Sequence, residues 1–247
     1  MLLKGKVAIV TGATGGLGKA IIHKLCKEGA RVIGIYRSQS LSAEKLQAVL
    51  AESGFEVSFY KGSVYDEVFV ANTVNKIIEK YNRIDILVNN AGITRDAFLP
   101  QMASKDWKDV FETNFEGAYI CTREVLPHML KREFGRVINI ISISGIIGKE
   151  AQTNYCASKG AVIGLTRLLS RKYSQKGIYF NAIAPGLIET DMIDHLPDNK
   201  RTGIINSTNL KRVGKAEEVA GAVLFLSSSL SDYCNNTILT IDGGMLR

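Results

Sequence analysis

Short apolar runs alternate with amphipathic stretches from one end of the chain to the other. The runs at 6–10 (KVAIV), 31–35 (RVIGI), 56–60, 84–88 (IDILV), 136–141 (RVINII), 178–183 (IYFNAI) and 237–241 are short, largely apolar and rich in β-branched residues. That is the pattern of parallel strands buried on both faces. Helical periodicity fills the intervals: 19–25, 41–53, 65–80, the stretch that carries Tyr155, and 216–227. A longer helical pattern starts at Ser104, read as an N-cap, and runs past Asn114 towards Arg132, with Pro127 as a candidate kink. Strands and helices in alternation, joined by short connections, predict an α/β chain: a doubly wound, Rossmann-like parallel sheet with helices on both faces. No linker or repeat divides it, so residues 1–247 are expected to form a single domain. Residues 189–213 are more polar and weakly periodic, which suggests a substrate lid.

The turn after the first strand reads Thr11-Gly12-Ala13-Thr14-Gly15-Gly16-Leu17-Gly18 and opens a helix. Gly12, Gly16 and Gly18 give the spacing T-G-x-x-x-G-x-G. Glycines there let the backbone approach a ligand, and the new helix offers free N–H groups and a positive dipole end to a phosphate. The second strand ends in Tyr36-Arg37-Ser38, where an acidic residue would hold an adenosine ribose diol. Arg37 can pair with a 2′-phosphate instead, which points to NADP(H) over NAD(H). The other reading of Arg37 is an ordinary loop-tip cation. The strand at 84–88 ends in Asn89-Asn90-Ala91-Gly92, small residues suited to the crevice where open α/β sheets bind ligands.

Tyr155 and Lys159 stand at i and i+4, on one face of a helix. A tyrosine with its ordinary pKa near ~10 is a poor acid or base at neutral pH. A lysine cation roughly 5 Å away, at an effective dielectric of about 20, favours the phenolate by about 3 kcal/mol, or on the order of two pKa units. The expectation is a proton donor for a carbonyl oxygen that gains negative charge. Ser142 ends the strand at 136–141, thirteen residues before Tyr155, close enough for the intervening loop to bring the two face to face. Asn114 sits mid-helix among apolar neighbours, where its amide needs a partner.

Composition narrows the class. The 247 residues are 46% hydrophobic, enough for one large core. No apolar run is long enough to span a bilayer, and the opening residues pass into a strand pattern without a signal-peptide core. Cys26, Cys121, Cys156 and Cys234 are scattered, as expected of reduced thiols in a cytoplasmic protein, and His23, His128 and His195 show no metal-ligand spacing. No metal is expected. The net charge of +7 fits an acidic partner or a phosphate-bearing ligand as well as a solvated surface. The basic residues form no stripe, which argues against nucleic acid.

TGATGGLG, NNAG, Asn114, Ser142, YCASK and the PG of APGLIETDM, in this order and spacing, resemble the short-chain dehydrogenase/reductase family over essentially the whole chain. The resemblance implies that Tyr155 is the proton donor, that Lys159 lowers its pKa and holds the nicotinamide ribose, that Ser142 binds the substrate carbonyl, and that Asn114 holds a water. It implies a cofactor site made of Gly12, Thr14, Gly15, Gly16, Leu17 and Gly18, then Arg37, then Ser63 and Val64. Asn90, Ala91 and Gly92, Tyr155 and Lys159, and Pro185, Gly186, Ile188 and Thr190 complete it. The segment 90–96 (NAGITRD), with IETDM and the C-terminal GGM, resembles the branch that reduces 3-oxoacyl thioesters. NADPH-dependent reduction of a carrier-protein-bound 3-oxoacyl thioester in fatty-acid synthesis, by a homotetramer, is the expectation. Reduction of acetoacetyl-CoA or of another small ketone is the alternative. A non-catalytic dinucleotide-binding scaffold would be expected to lack Tyr155 or Lys159. The chain departs from the branch at Gly15, where many members have Arg, and at Ser63, where Asp or Asn is usual. It departs again at Glu133, where a basic residue often stands, and at Asn235-Asn236, where Thr-Gly is usual. Arg171 matches a basic carrier-docking position, beside Lys172 and with Lys131-Arg132 as a second basic pair.

Overall fold

A computed structural model describes residues 1–190 and 198–246. Its centre is a seven-stranded sheet. The strands are β1 (Val7–Thr11), β2 (Arg31–Tyr36), β3 (Val57–Lys61), β4 (Ile86–Asn89), β5 (Gly135–Ile140), β6 (Ile178–Pro185) and β7 (Ile238–Ile241). They lie in the order β3-β2-β1-β4-β5-β6-β7, and every pairing is parallel. The chain builds outward from β1 to β3, then returns to lay β4 on the other side of β1. That reversal leaves a crevice at the carboxyl ends of β1 and β4.

The near-continuous apolar strands divide their side chains between two faces. Ala8 and Val10 point to one side, where they meet Ile21, Ile22 and Leu25 of α1 (Gly16–Lys27) and Val219 and Val223 of α9 (Ala216–Ser227). Val7 and Ile9 point to the other, towards Val70, Val74 and Ile77 of α3 (Glu67–Tyr81) and Ile120, Val125 and Met129 of α5 (Gly117–Lys131). Both faces are covered, as a parallel sheet requires. A third cluster seats Val162 and Ile163 of α7 (Thr153–Tyr173) against Ala182 and Ala184 of β6. Local signals set the ends of several helices. Asp66 accepts from Phe69 N at 3.0 Å before α3, and Asn82 closes that helix in the left-handed region at φ 54°. No helix among the described residues is long and apolar enough to cross a membrane.

The structure corrects two sequence expectations and refines a third. Ser104 is the first residue of α4 (Ser104–Phe111), not its N-cap; Ala103 precedes it, without a side-chain cap. The helical pattern expected from Ser104 past Asn114 towards Arg132 is present and runs through a π turn, Glu112–Glu116, while Pro127 lies inside α5 (Gly117–Lys131) without dividing it. The loop expected after Ser142 contains a short helix, α6 (Ser144–Ile147). The expected lid at 189–213 falls partly on 191–197, outside the described residues. Of the remainder, Asp198–Ser207 is helix α8. The flanks of that segment are tied to each other: Glu189 N donates to Gly214 O at 2.8 Å and Gly214 N to Leu187 O at 3.0 Å. Helix α2 (Ser40–Glu52) lies between β2 and β3.

The departure at Asn235-Asn236 has a structural account. Asn236 holds a left-handed conformation (φ 63°) that asparagine tolerates better than most residues. Asn235 accepts from Phe180 N at 3.1 Å and donates to Ser170 O at 3.3 Å, clipping the start of β6 to the last turns of α7.

Candidate active site

A cleft of about 840 Å³ lies across the carboxyl ends of the strands. All the residues expected at the cofactor line it, from the turn Gly12–Gly18 to Thr190. Ser142 and Tyr155 line it as well, whereas Asn114 stands behind the wall, 2% exposed.

The two strand ends at the crevice are locked together by short polar side chains. Thr11 Oγ1 accepts from Asn90 N at 3.0 Å and from Ala91 N at 2.9 Å. Asn90 Nδ2 donates to Thr11 O at 2.9 Å and to Gly12 O at 3.2 Å. Asn90 therefore borders the cleft while its amide holds β1 to β4. Thr11 opens the T-G-x-x-x-G-x-G pattern, which by itself assigns it no role. Gly12 and Gly18 are needed for packing of backbone on backbone. A Cβ on Gly12 would lie 2.9 Å from Ala91 Cα, and one on Gly18 only 2.2 Å from Gly12 O. Gly15 is different: at φ −73° its Cβ would meet nothing nearer than Gly12 O at 3.6 Å. A side chain at Gly15 has room.

These features fit a dinucleotide. The first-turn N–H groups of α1 are free for a phosphate. Two buried hydroxyls on the cleft wall, Ser63 Oγ and Thr113 Oγ1, have no partner among the described residues. Such orphaned groups are rare unless a ligand satisfies them. Thr113 carried no signal in the sequence beyond its place before Asn114. Arg37 is exposed at the rim and has no hydrogen-bond or ion-pair partner among the described residues, so its guanidinium is available.

At the reacting end, the π turn aims Asn114 into a buried knot. Asn114 Oδ1 accepts from Ile93 N at 2.8 Å, and its Nδ2 donates to Ile93 O and to Ser158 Oγ, each at 3.1 Å. Ser158 Oγ in turn donates to Tyr155 O at 2.8 Å. Asn114 thus ties the Ile93 backbone beyond β4 to the Ser158 side chain of α7. Lys159 is 3% exposed and its Nζ donates to Ile140 O, the last carbonyl of β5, at 2.8 Å. Gly92 brings the two side chains near each other: a Cβ there would lie 3.3 Å from Lys159 Nζ and 3.4 Å from Asn114 Oδ1.

Burial dominates the electrostatics. The Tyr155 phenol is pushed up to about 12 by burial, with a partial downward pull from the neighbouring Ser142 hydroxyl. Burial alone lowers Lys159 to about 8. This corrects the expectation that Lys159 depresses the phenol in the unliganded chain. At a pH where the phenol would ionise, the lysine is already neutral and has no charge to attract with. Near neutral pH the tyrosine therefore carries its proton, and Lys159 lies 5.7 Å from the ring centroid, largely as a cation.

Among the described residues no group of His, Cys, Asp and Glu could hold a metal ion, and the cysteines are free thiols. A family model described as short chain dehydrogenase matches residues 6–201. The chain belongs to the short-chain dehydrogenase family. It is thus an oxidoreductase of a family that uses nicotinamide cofactors. Among its relatives, the 3-oxoacyl-(acyl-carrier-protein) reductase FabG of Thermotoga maritima is 42% identical over 249 residues, covering 100% of both chains. The reductases of the same name from Haemophilus influenzae and Escherichia coli are 40% and 39% identical, covering 98% and 99% of this chain and 99% of each relative. A solved Agrobacterium tumefaciens structure, provisionally described as a gluconate dehydrogenase, superposes with a TM-score of 0.94. It is 33% identical and covers 98% of this chain and 96% of its own.

Arg171 and Lys172 are exposed in the last turn of α7, while Tyr155 is in its first turn. Sixteen residues separate Arg171 from Tyr155, about 24 Å along the helix axis. The basic pair does not rim the cleft of its own chain.

Lys159 binds its proton less tightly folded than unfolded, so between about pH 8 and 10.5 the unfolded chain binds more protons. Its contribution to stability therefore rises with pH across that window. Lys159→Met is expected to remove this component. The wild type should gain stability relative to the variant between pH 8 and 10, measured by denaturant unfolding. A constant difference between the two proteins would contradict burial as the source of the shift.

Proposed function

We propose that the chain is an NADPH-dependent reductase of 3-oxoacyl thioesters, presented by acyl carrier protein for fatty-acid synthesis. The observation that supports this most is likeness along the full length to reductases of that name, with Ser142, Tyr155 and Lys159 assembled beside a dinucleotide-sized cleft. NADPH, when bound, supplies the hydride. The chain's own residues handle the oxygen. Ser142 donates a hydrogen bond to the ketone, and Tyr155 gives its phenolic proton to that oxygen as negative charge develops. The Lys159 cation stabilises the phenolate left behind, and Asn114 keeps α7 in place. The ketone becomes a hydroxyl, and solvent returns the proton to Tyr155.

A second reading is supported by the gluconate dehydrogenase likeness: oxidation of a small hydroxy acid on the same sheet. Steady-state rates with acetoacetyl-carrier protein, acetoacetyl-CoA and gluconate, each with both nicotinamide cofactors, separate the two. Preferential turnover of gluconate would remove the thioester reading.

Three outcomes are expected of variants. Tyr155→Phe should bind NADPH nearly as well as the wild type, by fluorescence titration, and lose at least about 10²-fold in kcat. Arg37→Ala should weaken NADPH roughly tenfold or more and leave NADH nearly unchanged, because only the 2′-phosphate makes the charge-assisted contact. Equal losses for both cofactors would mean that Arg37 does not read the phosphate. Arg171→Glu with Lys172→Glu should lower kcat/KM for the carrier-bound substrate, in a salt-dependent way, and spare acetoacetyl-CoA. Given the distance of the pair from Tyr155, an unchanged rate with the carrier substrate would move the docking surface elsewhere.

A further inference from the structure

The substrate end of the cleft is bordered by the loop 93–96 and by the segment 147–152, which begins at the last residue of α6, and these supply Ile93, Thr94, Asp96, Ile147, Lys149 and Gln152. They are fastened together. Ala97 N donates to Ala151 O at 2.8 Å, and Ala97 pairs with Gln152 in an isolated parallel bridge. Asp96 Oδ2 accepts from Gln152 Nε2 at 2.9 Å, and Gln152 is only 7% exposed. Asn154, fully buried, donates to Arg95 O at 3.0 Å. Ala151 is held at φ 59°, a left-handed conformation unfavourable for alanine that persists only where its surroundings impose it. The Asp96 carboxylate is therefore fixed on the cleft wall.

Its charge is not cancelled. Asp96 takes part in no ion pair among the described residues. The adjacent Arg95 faces Asp106 at 4.0 Å and Thr94 O at 3.1 Å. Lys149 is solvent-exposed at the rim, and Lys159 is engaged with Ile140 O. Asp96 lines the same cleft as Ser142 and Tyr155. Burial is the main cause that raises the Tyr155 phenol and the Cys156 thiol, and the Asp96 charge adds to both in the same direction.

We propose that Asp96 is a charge filter for the substrate: fixed by Gln152, it admits neutral 3-oxoacyl esters and thioesters and disfavours ketones bearing a carboxylate next to the reacting group. The proposal rests on the thioester reading and adds a specificity-determining residue to it. Specificity of this kind comes from repelling the wrong ligand as much as from binding the right one. Like charges several ångströms apart, partly screened by solvent, make a difference of roughly five- to tenfold.

The test compares ethyl acetoacetate with acetoacetate, which differ by that charge, with acetoacetyl-CoA as the reference thioester and NADPH as cofactor. The wild type should prefer the ester, and the preference should shrink as salt is raised. Asp96→Asn keeps an acceptor for Gln152 and should narrow the preference roughly five- to tenfold, mainly through the KM of acetoacetate. Asp96→Glu keeps the charge and should keep the preference. Binding of 3-hydroxybutyrate, by calorimetry, should tighten by a similar factor in Asp96→Asn. An equal loss for ester and acid in Asp96→Asn would mean a purely structural role and overturn the proposal. So would a wild type that reduces acetoacetate as well as its ester, an outcome that leaves the thioester reading standing. Failure of the wild type to reduce acetoacetyl-CoA or a carrier-bound thioester, with gluconate turned over instead, would overturn both.

Discussion

The polar lock between Thr11 and Asn90 is the constraint on which the site depends. A doubly wound sheet must part at the point where its strand order reverses, and there β1 and β4 end side by side with no helix between them. Backbone groups at such an edge need partners. Thr11 and Asn90 provide them across the gap, with four contacts of 2.9–3.2 Å. The lock sets the distance from the glycine turn to Ala91, and the lack of a Cβ at Gly12 is what permits that distance. Lys159 and Asn114 are then referred to the same frame through Gly92 and Ile93.

Tyr155 and Lys159 are both shaped by burial, in opposite directions. Low polarity disfavours the charged form of each, so the phenol keeps its proton and the ammonium holds its proton weakly. The carbonyl of Ile140 offsets part of the cost for Lys159 by accepting its hydrogen bond at 2.8 Å. An arrangement in which the acid is protonated and the nearby cation is poised near neutrality suits a reaction that places negative charge on one oxygen and then removes it. Proximity at i and i+4 supplies the pair, and the surrounding core decides its protonation.

Much of this was legible in the sequence, for physical reasons. Parallel strands buried on both faces appear as apolar runs, and every expected strand is present within two residues of its predicted bounds. The glycine turn declares itself because backbone approach excludes side chains. The π turn at Glu112–Glu116 was hidden, since an added residue changes the hydrogen-bond register without interrupting the hydrophobic pattern. The roles of Thr11, Thr113 and Gln152 were hidden too: each depends on a partner or a cavity wall supplied by distant residues, and neither threonine nor glutamine at such positions has a distinctive signature. The direction of the Tyr155 shift failed for a related reason. Spacing shows that a lysine is near, but not that it is 3% exposed.

The two halves of the cleft are built differently, and this bears on how activity varies within one fold. The cofactor half hangs on the carboxyl ends of β1, β2, β4, β5 and β6, whose relative positions are set by the register of the ladder. The opposite wall, at 93–96 and 147–152, is mostly loop, joined by one isolated bridge and a few side-chain hydrogen bonds at Asp96, Gln152 and Asn154. A change in the first half disturbs the sheet, whereas a change in the second need only preserve the fastening. Substrate preference is therefore free to change while the cofactor and the proton-transfer groups stay fixed, and the fold alone cannot specify the substrate. Among the described residues that line the cleft, Asp96 is the one that brings a negative charge, which is why the proposed choice of substrate is placed on it.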